Sequence, residues 1–99
     1  MTIVSTHTNA QDRTFDAGFV MSEMPTKQRF AFVNGVLQGL AYARFRKDRP
    51  DEKGMTCIQQ WLFSKKSDRW KTVEDAFNKY QDKPPAVLLH LLAKKECGE

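Results

Sequence analysis

This 99-residue chain lacks any motif that carries catalysis or holds a metal. Its longest apolar stretch, within residues 86–93, is broken by His90 and is shorter than the ~18–20 residues that span a bilayer. There are two cysteines, Cys57 and Cys97, and no C-x-x-C, which excludes a thioredoxin-like redox motif. Two cysteines need two ligating histidines to make a structural zinc site. His7 lies in a loose polar tail and His90 between Leu89 and Leu91, a setting expected of a core or boundary histidine. No segment sustains period-two alternation, so a sheet is not expected. Residues 1–15 have neither the basic nor the apolar region of a signal peptide. Either the protein is cytoplasmic, or a natural secretion signal was removed and Met1 stands in its place.

What is present is charge, unevenly spread. Net charge is +4, and the whole excess lies in residues 25–71, which hold eleven bases and four acids. A basic middle attracts nucleic acid, an acidic protein or anionic lipid, and it is also what a plain solvated surface looks like. Asp48, Asp51 and Glu52 resemble paired carboxylates, but Arg46, Lys47, Arg49 and Lys53 lie among them, the pattern of solvated ion pairs. Neither cysteine has the electropositive, accessible setting of an activated thiolate. The residues therefore read as non-enzymatic, with no cofactor and no metal.

Hydrophobic share is 40%, enough for one core. Residues 1–11 read as a flexible tail and residues 12–99 as a single helical domain. A short helix is expected over residues 12–23, with Phe15, Phe19 and Val20 on one face. Asp12 or Thr14 would cap it, and Gly18 would weaken it.

The organising segment is residues 26–47, opened by Pro25 and stopped by Arg49 before Pro50. Phe30, Val33, Val36, Leu37, Leu40 and Ala41 recur at helical spacing and predict a buried stripe. Beside it run Gly35, Gly39 and Ala43. Each helical glycine costs roughly 1 kcal/mol against alanine, so a compensating close approach is expected, from another helix of this chain or from a second copy.

Residues 46–54 read as an exposed charged loop. A helix over about 56–64 follows, capped by Thr56, with Trp61 in the core. Residues 64–71 form a second polar connection. Its Trp70 covers the core edge or stays partly exposed as a contact residue. A capping-box-like start at Thr72 leads a helix to about Tyr80, burying Val73, Ala76, Phe77 and Tyr80. Pro84 and Pro85 break it. A last helix faces the core with Val87, Leu88, Leu91 and Leu92, with Leu89 broadening the stripe, and stops at Gly98. The fold class is all-α, a compact bundle of four to five short helices. The two cysteines are either free thiols or one disulfide, which would close a loop of about 41 residues worth roughly 4 kcal/mol.

Residues 32–43 (FVNGVLQGLAYA), an apolar helix at Cys57, and residues 72–98 (TVEDAFNKYQDKPPAVLLHLLAKKECG) together resemble the Tai-type immunity proteins of type VI secretion. The resemblance covers about two thirds of the chain. It implies a small, helical, periplasmic inhibitor that blocks a peptidoglycan amidase, commonly as a homodimer. It also implies a Cys57–Cys97 disulfide, and makes Gly35, Gly39 and Ala43 a packing or dimer surface. The expected contact residues for a protein partner are Arg46, Asp48, Arg49, Asp51, Glu52, Lys65, Lys66 and Trp70. The alternatives are a small basic helical protein that binds nucleic acid, with Trp70 stacking on a base, or a helical scaffold of other purpose. No apolar face is left spare for a membrane.

Overall fold

The computed structural model describes residues 14–65 and 68–99. The expected tail over residues 1–11, and Asp12 as a cap, lie outside the described residues. Five helices and no strand are present among the described residues: α1 Ala17–Glu23, α2 Thr26–Asp48, α3 Lys53–Trp61, α4 Arg69–Lys79 and α5 Pro85–Cys97. The all-α bundle holds.

Helices α1 and α4 start where an aspartate side chain satisfies a free N–H group, and three helix starts differ from the sequence reading. Asp16, not Thr14, caps α1, accepting from the Phe19 N–H at 2.8 Å. Helix α3 begins at Lys53, three residues before Thr56, because Asp51 accepts from the Lys53 N–H at 2.9 Å. Helix α4 begins at Arg69 with Asp68 as its cap, accepting from Lys71 N–H at 3.0 Å, so Thr72 is interior. Both helices open on a charged residue, Lys53 and Arg69, with a single apolar residue, Met55 or Trp70, in the first turn, too little for apolar periodicity to mark the start. Pro25 precedes α2 and Pro85 opens α5, both at starts that need no donor there. Gly98, at φ 69°, ends α5 in the left-handed region that glycine tolerates.

The core joins all five helices. Ala17 and Val20 of α1, Val33, Leu37 and Ala41 of α2, Ile58 and Trp61 of α3, Val73 and Phe77 of α4, and Leu88, Leu89 and Ala93 of α5 are buried. Phe30, Val36 and Leu40 pack partly buried against them, so the predicted stripe on α2 is the buried one. Helix α2 packs most extensively on α3, α1 packs on α4, and α5 touches α2, α3 and α4.

The rotation of α5 differs from expectation. Val87 and Leu91 are 48% and 50% exposed, while Leu89 and Ala93 are buried. The first half of α5 is apolar nearly all round, so hydrophobicity alone does not choose its inner face. The choice falls to Cys97, which lies one turn beyond Ala93 and two beyond Leu89, and which is bonded to Cys57. Tyr80 is also exposed, because α4 ends at Lys79 and the chain turns away there.

Helix α1 is held by its ends. The Ala17 and Gly18 N–H groups donate to the Lys83 and Gln81 carbonyls at 2.9 and 2.8 Å. Gly18 is therefore no defect: a Cβ there would lie 3.1 Å from that of Gln81. At the other end Arg29 of α2 donates to the Met21 and Met24 carbonyls, both at 3.0 Å, and to Glu74 of α4 at 2.7 Å. One guanidinium thus caps α1 and pins it to α4.

Candidate functional site

Surface chemistry concentrates around α3. The loop that precedes it leaves α2 through Arg46 and Lys47 and reaches Glu52 (the Arg49–Pro50 peptide is cis). Arg46, Arg49, Asp51 and Glu52 are exposed. Asp48 is held back, paired with Arg44 one turn earlier at 2.5 Å. That pairing matters because Arg44 also donates to the Gly98 carbonyl at 3.0 Å and packs its guanidinium against Gly54. Any Cβ at Gly54 would collide with the guanidinium. The loop is thus fastened at its base, while its outer side chains stay free to meet a partner.

At the far end of α3 the second connection is different. Lys65 is exposed, and Lys66 lies outside the described residues. Trp70 sits inside the first turn of α4, half-buried, with its ring 5.3 Å from Phe30. Arg69 beside it places its guanidinium 5.4 Å over the Trp61 ring and pairs with Glu96. Lys71 bonds Asp75 at 2.9 Å. That hydrogen bond, then the Asp75 charge, raises the Lys71 pKa above the usual lysine value.

The two regions are bridged by the outer face of α3. Pro50, Asp51, Glu52 and Lys53 line one shallow concavity that runs to Thr56, Cys57 and Gln60. Cys57 and Gln60 also line a second, which continues past Phe63 and Ser64. The strip therefore runs unbroken from the charged loop to Phe63. Nine residues of helix span about 13 Å. Phe63 is 57% exposed, the apolar end of an otherwise polar surface. In the sequence it lies within an apolar helix, and only the end of α3 at Trp61 turns it outward. The Cys57–Cys97 disulfide is present and fixes the middle of this strip to the end of α5.

The remaining expected residues fall elsewhere. Gly35, Gly39 and Ala43 are exposed on α2, away from the α3 strip's charged loop except at the helix end. A Cβ at Gly35 or Gly39 would meet nothing within 4 Å, so no other helix of the described chain approaches there. Close packing within the chain does not explain these two glycines. His90 is half exposed and not in the core, the consequence of the α5 rotation. Among the described residues no group of three His, Cys, Asp or Glu side chains is placed to hold a metal ion, and no helix is long and apolar enough to cross a membrane. In comparisons with known proteins, no family model, curated protein or solved structure matches this chain.

Proposed function

We propose that this chain is a non-enzymatic protein-binding domain that acts as an inhibitor through the outer face of α3. The observation that carries the reading is the continuous strip from Glu52 to Phe63, braced by a disulfide at its midpoint. An exposed aromatic at one end supplies a site for a buried anchor, and the loop of mixed charge at the other supplies orientation. Binding function belongs on loops held by a rigid frame, and here the frame is covalent.

The resemblance to Tai-type immunity proteins makes the partner a peptidoglycan amidase and the compartment the periplasm, and both are parts of the proposal. The chain would seat the α3 strip over the enzyme's cleft. A second copy is the proposed neighbour of Gly35 and Gly39, where the single chain places nothing within 4 Å of an added Cβ.

The test is inhibition of peptidoglycan hydrolysis by a set of type VI secretion amidases, with the oxidised chain titrated in. The expected result is stoichiometric inhibition of at least one enzyme. Phe63→Ala should weaken it by about 30-fold, the effect of losing a hot-spot aromatic of roughly 2 kcal/mol. No binding to any amidase would remove the enzyme partner. Salt-sensitive binding to generic DNA or RNA would favour nucleic acid instead.

A further inference from the structure

A second recess lies on another side of the molecule, between the C-terminal halves of α2 and α5. Its floor is Leu40 and Ala43 of α2, Ile58 of α3 and Ala93 of α5, and its volume is about 210 Å³. Its mouth carries Lys47, His90 and Lys94. Arg44 also borders it, but its guanidinium is committed to Asp48 and the Gly98 carbonyl. Into this mouth turns the carboxylate of Glu99, 3.2 Å from the Lys94 ammonium and 3.9 Å from His90. Its pKa is lowered, first by the Lys94 hydrogen bond and charge, then by His90 and Lys47.

Cations in the last turns of α2 and α5 have a structural use, since they offset the negative ends of both helix dipoles. That use does not require a carboxylate among them. Nor does it require an apolar floor. A pocket for a small-molecule ligand measures about 300–1,000 Å³, and this recess is smaller. It matches one side chain, presented by something larger, with an anionic group beside it.

We propose that the α2–α5 recess is a receptor for an acidic segment of a protein partner, and that Glu99 fills its charged mouth in the free chain. The apolar floor takes an aliphatic side chain, and Lys47 and Lys94 take the neighbouring carboxylate. Glu99 is held by exposed contacts to Lys94 and His90, which are weak, so an incoming carboxylate displaces it at little cost. The inference rests on the protein-binding reading, but it concerns a different surface from the α3 strip.

The experiment uses the oxidised, isotope-labelled full chain. Amide shifts are followed by NMR during titration with an amidated peptide carrying a Leu-Glu-Leu-Glu core. Parallel titrations use its glutamine counterpart and a single-stranded DNA oligonucleotide. The acidic peptide should shift Leu40, Ala43, Lys47 and Ala93, and the glutamine peptide should not. Lys94→Gln should abolish those shifts. Glu99→Gln should tighten binding about two- to fivefold, the range released when an exposed ion pair is removed. Absence of shifts at the recess in both the natural chain and Glu99→Gln overturns the site. Equal affinity of the two overturns the role of Glu99. Recess shifts with DNA and none with the peptide overturn the acidic protein partner. Failure here leaves amidase inhibition through Phe63 intact, and failure of inhibition leaves the recess shifts measurable, so the two readings fall separately.

Discussion

Reducing the Cys57–Cys97 bond should cost this protein a large share of its margin of stability. The bond joins residues 40 apart in sequence. Releasing it frees the unfolded chain from a ring of that size, worth about 4 kcal/mol in the chain-entropy account. The folded state gains nothing in return: α5 still packs on α2, α3 and α4, and both half-buried thiols keep their places beside the core. A domain of this length is stable by about 5–15 kcal/mol, so the bond supplies roughly a quarter to four fifths of that margin. At roughly 4–8 °C per kcal/mol, the melting temperature should fall by about 16–32 °C. The assay is urea and thermal unfolding followed by circular dichroism, with and without a phosphine reductant. Intact mass after alkylation confirms two new thiols. The urea slope should also rise, because the reduced unfolded chain exposes more surface. A loss under about 1 kcal/mol would refute the reasoning, and so would an unchanged thiol count on reduction.

Four further outcomes follow from the packing. Phe77→Ala removes a fully buried ring at the centre of the core and should cost about 3–5 kcal/mol by chemical denaturation. Arg29→Ala leaves Glu74 and the Met21 and Met24 carbonyls without their donor. It should cost about 2 kcal/mol, with amide exchange rising first in α1. Gly39→Ala meets open space, so the dilute chain should gain about 1 kcal/mol in urea unfolding, while Gly39→Leu should break the proposed dimer, read as a fall in solution mass. Glu99 should titrate below the ordinary glutamate range by NMR, and Lys94→Ala should return it upward. The sign is that of a depressed carboxylate: its favourable contact is intact above the ordinary value and is lost as pH falls through the lowered one.

The sequence and the structure agree where side chains repeat along one element, and part where two elements must meet. The stripe of Val33, Leu37 and Ala41 was legible because period and burial coincide over a long helix. Pro25, Pro85 and Gly98 marked their boundaries through backbone chemistry alone. Asp51 and Asp68 were visible as residues but not as caps, since a cap depends on which following N–H groups turn helical. The outward facing of Val87, Leu91 and His90 depends on a covalent bond made far away in sequence. Phe63 is legible as apolar, but its exposure depends on where α3 ends. Gly54 is the plainest case. It reads as a loop glycine, and its actual use is to receive the Arg44 guanidinium from another helix. The recess has the same origin: Lys47, Lys94 and Glu99 carry no spacing signal, and only the meeting of α2 with α5 collects them.

The disulfide has a mechanical consequence as well. Everything before Cys57 lies outside the covalent ring, including the whole of α1 and α2 with Val33, Leu37 and Ala41. Tension applied between the two termini strips those helices from the bundle and then passes through the sulfur bridge, which carries the load in place of the ring. The segment between the cysteines then stays knotted to itself by one bond, and about 130–140 Å of contour length never appears in the extension. A single-molecule pulling trace should therefore be short by that length until reductant is added. After release, α3, α4 and α5 remain within reach of one another, and the returning α2 has only to find a partner surface that never fully dispersed.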